Sequence, residues 1–158
     1  MNTTTSSVVS VLNDLIETCR DGQEGFRCAA EDVKNAQLKA RFTKYSEQRG
    51  RFVGELQHAV QRTDKEPETK PSFLGELHRG WINLKSALAG GDEHAILAEC
   101  ERGEDSAVAE YRKALEAELP ANVAELVRRQ SADVQAAHDR VRDLRDSAEV
   151  AKNSTRTE

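Results

Sequence analysis

Aromatic residues are scarce in this chain: four Phe, two Tyr and one Trp among 158 residues, while 32% of positions are charged. That balance fits helices with solvated outer faces, and the length suits one domain with a real core. No apolar run approaches the length of about 20 residues that a membrane-spanning helix needs. Positive charge is not in excess. The 23 Lys and Arg are outnumbered by 28 Asp and Glu, the net charge is -5, and the cations are spread along the chain, which argues against a nucleic-acid partner. The start, MNTTTSSVVSVLNDL, has neither a basic n-region nor an apolar h-region, so no signal peptide is expected and the chain reads as cytoplasmic. Cys19, Cys28 and Cys100 are odd in number, lack metal-type spacing and read as reduced, packed thiols. No nucleophile-base pair, phosphate-binding loop or useful stretch of strand-like alternation is legible.

Five helical stretches are legible instead. The first spans about Ser7 to Asp32, opened by Ser and Thr residues suited to capping. A break at Lys34 and Asn35 leads into a second, about Ala36 to Thr63. TDKEPETKPS, residues 63–72, holds two of the three prolines and no apolar anchor, and reads as a loop. A third helix is expected from about Ser72 to Ala89, capped by Ser72 and stopped by Gly90 and Gly91. Asp92 caps a fourth that runs to about Glu118, and Pro120 opens a fifth that runs to about Glu149. Residues 1–6 are expected to be flexible, residues 7–149 to form one domain, and residues 150–158 to be frayed.

The second helix carries Leu38, Phe42, Tyr45, Arg49, Phe52, Leu56 and Ala59 at alternating spacings of four and three, the stripe of a bundle helix. Adding 85 to each number gives Val123, Val127, Gln130, Val134, Ala137, Val141 and Leu144, the seam of the fifth helix. The same offset turns Val8, Leu12, Leu15, Cys19, Gly22, Phe26 and Ala29 into Glu93, Leu97, Cys100, Glu104, Ala107, Tyr111 and Ala114. Phe26-Arg27-Cys28-Ala29-Ala30-Glu31 echoes Tyr111-Arg112-Lys113-Ala114-Leu115-Glu116. The pattern reads as an internal duplication of a helical hairpin. Two hairpins joined through another helix point to an all-α, ferritin-like four-helix bundle with a fifth, crossover helix between them. The crossover has its own stripe of Phe73, Leu77, Trp81, Leu84 and Leu88, with Trp81 as its anchor.

NDLIETCRDGQEGF (13–26), ELHRGWINLK (76–85), AECERGED (98–105) and AAHDRVRDLRD (136–146) resemble a bacterial family of ferritin-like four-helix-bundle proteins catalogued as a domain of unknown function. The resemblance covers about residues 7–149. It implies a ferritin-like fold in a bacterial cytoplasmic protein, a loose association with stress, and no established activity.

GELQHA, residues 54–59, sets Glu55 and His58 three apart on one helix. A ferritin-like di-iron site takes a Glu from each of two helices and a Glu-x-x-His from each of the other two, all facing inward. The carboxylates bridge the cations and the imidazoles complete their shells. The inward mid-helix position on the second helix is Arg49, so the equivalent tetrapeptide reads Arg-x-x-Phe. The fifth helix offers Gln130, Asp133, Val134 and Ala137, the first offers Asp21 and Gly22, and the fourth offers Glu104. Glu55 and His58 share a row with Gln48, Arg51 and Arg62 and read as a solvated face. His78 and His94 read as surface residues, and His138, beside the fifth seam, as half-buried.

Arg49 and Glu104 thus stand on inward seams, roughly 21 Å and roughly 24 Å from their hairpin turns and so near mid-height. An unpaired buried charge is costly. The sequence therefore predicts an internal Arg49–Glu104 pair, with Tyr45, Tyr111, Gln130, Asp21 and Asp133 to satisfy the remaining donors and acceptors. The alternative is that Arg49 reaches the surface on its aliphatic stem.

Two function classes follow. The first is a non-catalytic bundle acting through its charged outer faces, with no cofactor and no nucleic-acid or membrane partner. Homodimerisation through a face carrying Val9, Val11, Ile16 and Ile96 belongs to this class, unless those residues pack under the crossover helix. The second is a di-iron oxidoreductase or metal-storage protein that holds iron or manganese with an atypical set: Glu24, Glu55, His58, Glu104 and His138. A bundle binding an apolar ligand without metal ranks last, because a charged interior leaves it little room.

Overall fold

The computed structural model describes residues 2–63 and 77–156. Five α-helices account for nearly all of them, with no strand among the described residues: α1 (Asn2–Asp32), α2 (Ala36–Gln61), α3 (Leu84–Gly90), α4 (Glu93–Glu116) and α5 (Ala121–Arg156). The first and last helices extend beyond the expected domain limits, in stretches with no Gly or Pro to stop them.

The turns follow from local chemistry. Asn35 Oδ1 accepts from the backbone N–H of Gln37 and Leu38 at 2.9 and 3.2 Å, which starts α2 with only three residues between it and the end of α1. Asp92 Oδ1 does the same for His94 N–H at 3.1 Å at the start of α4. Gly91, at φ 72, closes α3 with its N–H donating to the carbonyls of Ala87 and Leu88. A side chain there would be strained, so the Gly-Gly stop is a left-handed cap.

The crossover departs from expectation. Residues 72–76, including Ser72 and Phe73, lie outside the described residues. From Leu77 to Asn83 the chain forms turns, and the helix proper is the seven-residue α3. Tertiary contacts override the helical period here. Arg79 (φ 43) and Gly80 (φ 72) are left-handed, and Gly80 lies so close to α4 that an added Cβ would sit 2.7 Å from the Arg102 carbonyl oxygen. Arg79 donates to Thr18 Oγ1 at 2.7 Å and to Glu17 Oε2 at 2.8 Å, which pins the turn to α1. Trp81, Leu84 and Leu88 still face inward and are buried. The Trp81 indole lies between α1 and α4 where only glycine leaves room. A Cβ on Gly25 would come within 2.3 Å of the ring, and one on Gly103 within 2.0 Å.

Antiparallel helices α1 and α2 form one hairpin, and α4 and α5 the other. The hairpins meet mainly where α1 lies on α4, with a smaller contact between α2 and α5. Two apolar clusters fill the interior. One holds Leu12, Leu15, Leu56, Val60 and Val127. The other holds Phe26, Phe42, Trp81, Leu97 and Val141. Ile16 and Ile96 are buried in these clusters, and Val9 and Val11 pack partly buried against the first. No described helix is long and apolar enough to cross a membrane.

Candidate functional site

Along α2, Arg49 falls between Phe42 of one cluster and Phe52 of the other; along α4, Glu104 falls between Cys100 and Ala107 in the same way. The two side chains meet. Arg49 Nη1 and Nη2 donate to Glu104 Oε1 and Oε2, each at 2.6 Å, and both residues are 0% exposed. This is the parallel, two-bond fork that only arginine offers a carboxylate. The Phe26 ring lies 5.6 Å from Arg49 Cζ and adds a cation–π contact. Gly22 on α1 leaves the space: a Cβ there would stand 3.1 Å from Arg49 Nη1 and 3.5 Å from its Cγ. Burial by itself pulls the Arg49 pKa down, but the charge and hydrogen bonds of Glu104 outweigh it, and the net shift is upward. The guanidinium is therefore a fixed interior cation and does not snorkel to the surface.

A second polar chain crosses all four long helices beside this pair. Tyr111 donates its hydroxyl proton to Gln130 Oε1 at 2.7 Å. Its oxygen is then free to accept from the Cys19 thiol, 3.0 Å away. Gln130 Nε2 donates to Glu55 Oε1 at 3.1 Å and to the Phe52 carbonyl at 3.4 Å, and Arg129 donates to Glu55 Oε2 at 2.6 Å. The line Cys19–Tyr111–Gln130–Glu55 thus runs from the interior to the α2–α5 surface. Burial pushes the Cys19 thiol up to about 11, against the opposing pull of the Tyr111 hydrogen bond and the Arg49 charge. Burial likewise raises Tyr111 well above its ordinary range, as it does Cys100, where Glu104 adds to the effect. All three cysteines are free and buried. A thiol held this far above its usual pKa stays protonated at neutral pH and is a poor nucleophile.

Several expected members of the interior cluster lie elsewhere. Tyr45 packs its ring on Phe26 and takes a 3.5 Å contact from Arg41 Nη1, apart from the ion pair. Asp21 turns to the crossover, 3.5 Å from Arg79 Nε, and its carboxyl is raised by burial in spite of that cation. Asp133, one position off the Val134 seam, is exposed. Tyr111 and Gln130 are interior, as their seam positions imply, yet they bond to each other rather than to Arg49 or Glu104.

The atypical ligand set does not assemble. Glu24 pairs with Arg27 and lies beside Cys28, and Glu104 is taken by Arg49. Glu55 is not simply solvated: it is half-buried and bridges α2 to α5. His58 is exposed, and with Glu55 it lines a shallow groove of about 350 Å³ between α2 and α5. His138 is on a different face. Its Nε2 lies 2.6 Å from Asp105 Oδ1 and 3.8 Å from Glu101 Oε1, and its Nδ1 lies 3.0 Å from Asp139 Oδ1. Among the described residues, Glu101, Asp105 and His138 form the one group of three potential metal donors whose ligand atoms all fall within 4.8 Å of one another. Sequence reasoning misses Glu101 and Asp105. Their spacing of four on α4 is a signal, but only the pairing of α4 with α5 sets His138 opposite them.

No curated protein matches the chain. A family model described as "Domain of unknown function (DUF2383)" matches residues 7–117, from α1 through α4. That span holds Cys19, Gly22, Arg49, Glu104 and Tyr111, while Gln130 and His138 lie beyond it. Because the match takes in well over half of the chain, the protein belongs to the DUF2383 family, a family defined by a domain whose function is unknown.

Proposed function

We propose that the chain is a ferritin-like four-helix bundle of the cytoplasm that acts without catalysing a reaction, as a structural or interaction protein. Its interior is closed by an ion pair in the place where a di-iron protein of this fold holds its metal. Two antiparallel hairpins with a crossover segment between them support the bundle reading. The observation that carries the functional reading is the fully buried, two-bond Arg49–Glu104 pair. Both Glu104 oxygens are engaged, and the guanidinium already supplies the positive charge that a metal would bring. An ion at Glu104 would have to displace Arg49 from a slot walled by Phe26 and Gly22. The outer helical faces, dense in Glu, Asp and Arg, are what remains for partners.

The test is elemental analysis of protein purified without chelator. The expected result is no iron or manganese whose retention depends on Glu104. Stoichiometric iron or manganese that disappears in Glu104→Gln would overturn the reading in favour of an oxidoreductase or storage protein.

A further inference from the structure

We propose that Glu101 and Asp105 of α4 and His138 of α5 form a binding site for one divalent first-row transition ion, on the outer seam between these helices and separate from the Arg49–Glu104 pair. Glu101 and Asp105 are one helical turn apart and present their carboxylates to the same side. His138 faces them from the antiparallel neighbour. Donors held about 2.0–2.2 Å from a common ion stand roughly 3.3 Å from one another in a tetrahedral shell. The distances here, 2.6 Å from His138 Nε2 to Asp105 and 3.8 Å to Glu101, straddle that value, so small side-chain rotations admit an ion.

The surroundings support this use of the three side chains. Metal-bound histidines usually have their second ring nitrogen held by a carboxylate, and bound carboxylates are themselves hydrogen-bonded from outside. Asp139 holds His138 Nδ1, which leaves Nε2 directed at the two carboxylates. Arg145 holds Glu101 Oε2, which leaves Oε1 on the His138 side. Glu101 is only 9% exposed, whereas the Asp105 side chain is 63% exposed and provides the entry side. One imidazole nitrogen and two carboxylate oxygens, with water completing the shell, suit Zn²⁺, Mn²⁺ or Fe²⁺, and Zn²⁺ is the probe with the fewest redox complications.

The experiment uses the full chain, stripped with chelator and titrated with Zn²⁺ by calorimetry. One equivalent is expected to bind. His138→Gln and Asp105→Asn should each weaken binding at least ~10-fold, and Asp139→Asn, which touches only the outer support, by ~10-fold. His94→Gln should leave it unchanged, with circular dichroism melts verifying that each variant is folded. No one-to-one binding, or binding that survives His138→Gln and Asp105→Asn intact, overturns the site and leaves His138 as an ion-pairing residue. A measurement on the unmodified chain stands beside the variants. Substoichiometric Co²⁺ should broaden the His138 imidazole resonances before those of His58, His78 and His94, and uniform broadening of all four would equally overturn it.

Discussion

Arg49 is the residue whose surroundings are most fully determined by other side chains, and it gives the sharpest test. A buried guanidinium is tolerated here because Glu104 takes both of its outer nitrogens. Removing one partner strands the other, at a cost of about 3–5 kcal/mol. Arg49→Met and Glu104→Leu are therefore each expected to lower the melting temperature by roughly 6–20 °C. The Arg49→Met/Glu104→Leu double variant should recover most of the loss or exceed the parent, because an apolar pair avoids the desolvation of two charges. Thermal melts of the four proteins measure this directly, and single losses that add in the double variant would show that the two residues do not act as a pair. The pair is legible in the sequence because both residues occupy inward seam positions of strongly periodic helices. Their closest associates are not. Cys19 and Tyr111 also lie on seams, but their hydrogen bond depends on how the two hairpins dock across 92 residues of chain, which periodicity does not encode. Asp21 and Asp133 sit one position away from their seams, enough to direct them to Arg79 and to solvent.

At the scale of elements, helix ends and helix faces follow from local chemistry, whereas the crossover does not. Asn35, Asp92 and Gly91 act as stop and start signals that any chain of this sequence would present. The stripe of Leu77, Trp81, Leu84 and Leu88 has helical spacing, yet residues 77–83 take a turn conformation because Gly80 and Trp81 are drawn against α1 and α4. The signal for this packing is the pair of mid-helix glycines, Gly25 and Gly103, which intrinsic helix propensity disfavours. They seat the indole. Gly103→Ala should therefore destabilise the protein by about 1–3 kcal/mol through overpacking, although alanine is the better helix former. Gly54, on α2, has nothing within 4 Å of the place a Cβ would take, so Gly54→Ala should stabilise by up to about 1 kcal/mol. Opposite signs in thermal melts check the argument. Since the chain has one tryptophan, a red-shifted emission in Gly103→Ala alone would locate the cause at Trp81.

On the scale of the whole molecule, the two hairpins share a backbone pattern but differ in their interiors. At the offset of 85, Cys19 corresponds to Glu104, Phe26 to Tyr111, Tyr45 to Gln130 and Arg49 to Val134. Each hairpin thus holds buried polar groups paired across to the other: Arg49 with Glu104, Cys19 with Tyr111, and Gln130 with Glu55 and the Phe52 carbonyl. Neither half has a fully paired interior alone, which favours one cooperative unit. The same burial sets an alkaline limit on stability. Cys19 titrates near 9.0 when unburied and near 11 in the folded chain, so the folded state keeps a proton that the unfolded state releases across that window. The Cys19 contribution is then constant below about pH 9 and falls as pH rises towards 11, by roughly 3 kcal/mol. Tyr111, also raised by burial, acts in the same direction above its usual range. Urea midpoints are therefore expected to decline through pH 9–11. Cys19→Ala removes the first of these protons and should decline less steeply over that window. An unchanged slope in the variant would mean that the alkaline transition belongs to other groups and that the Cys19 thiol is not held as the structure places it.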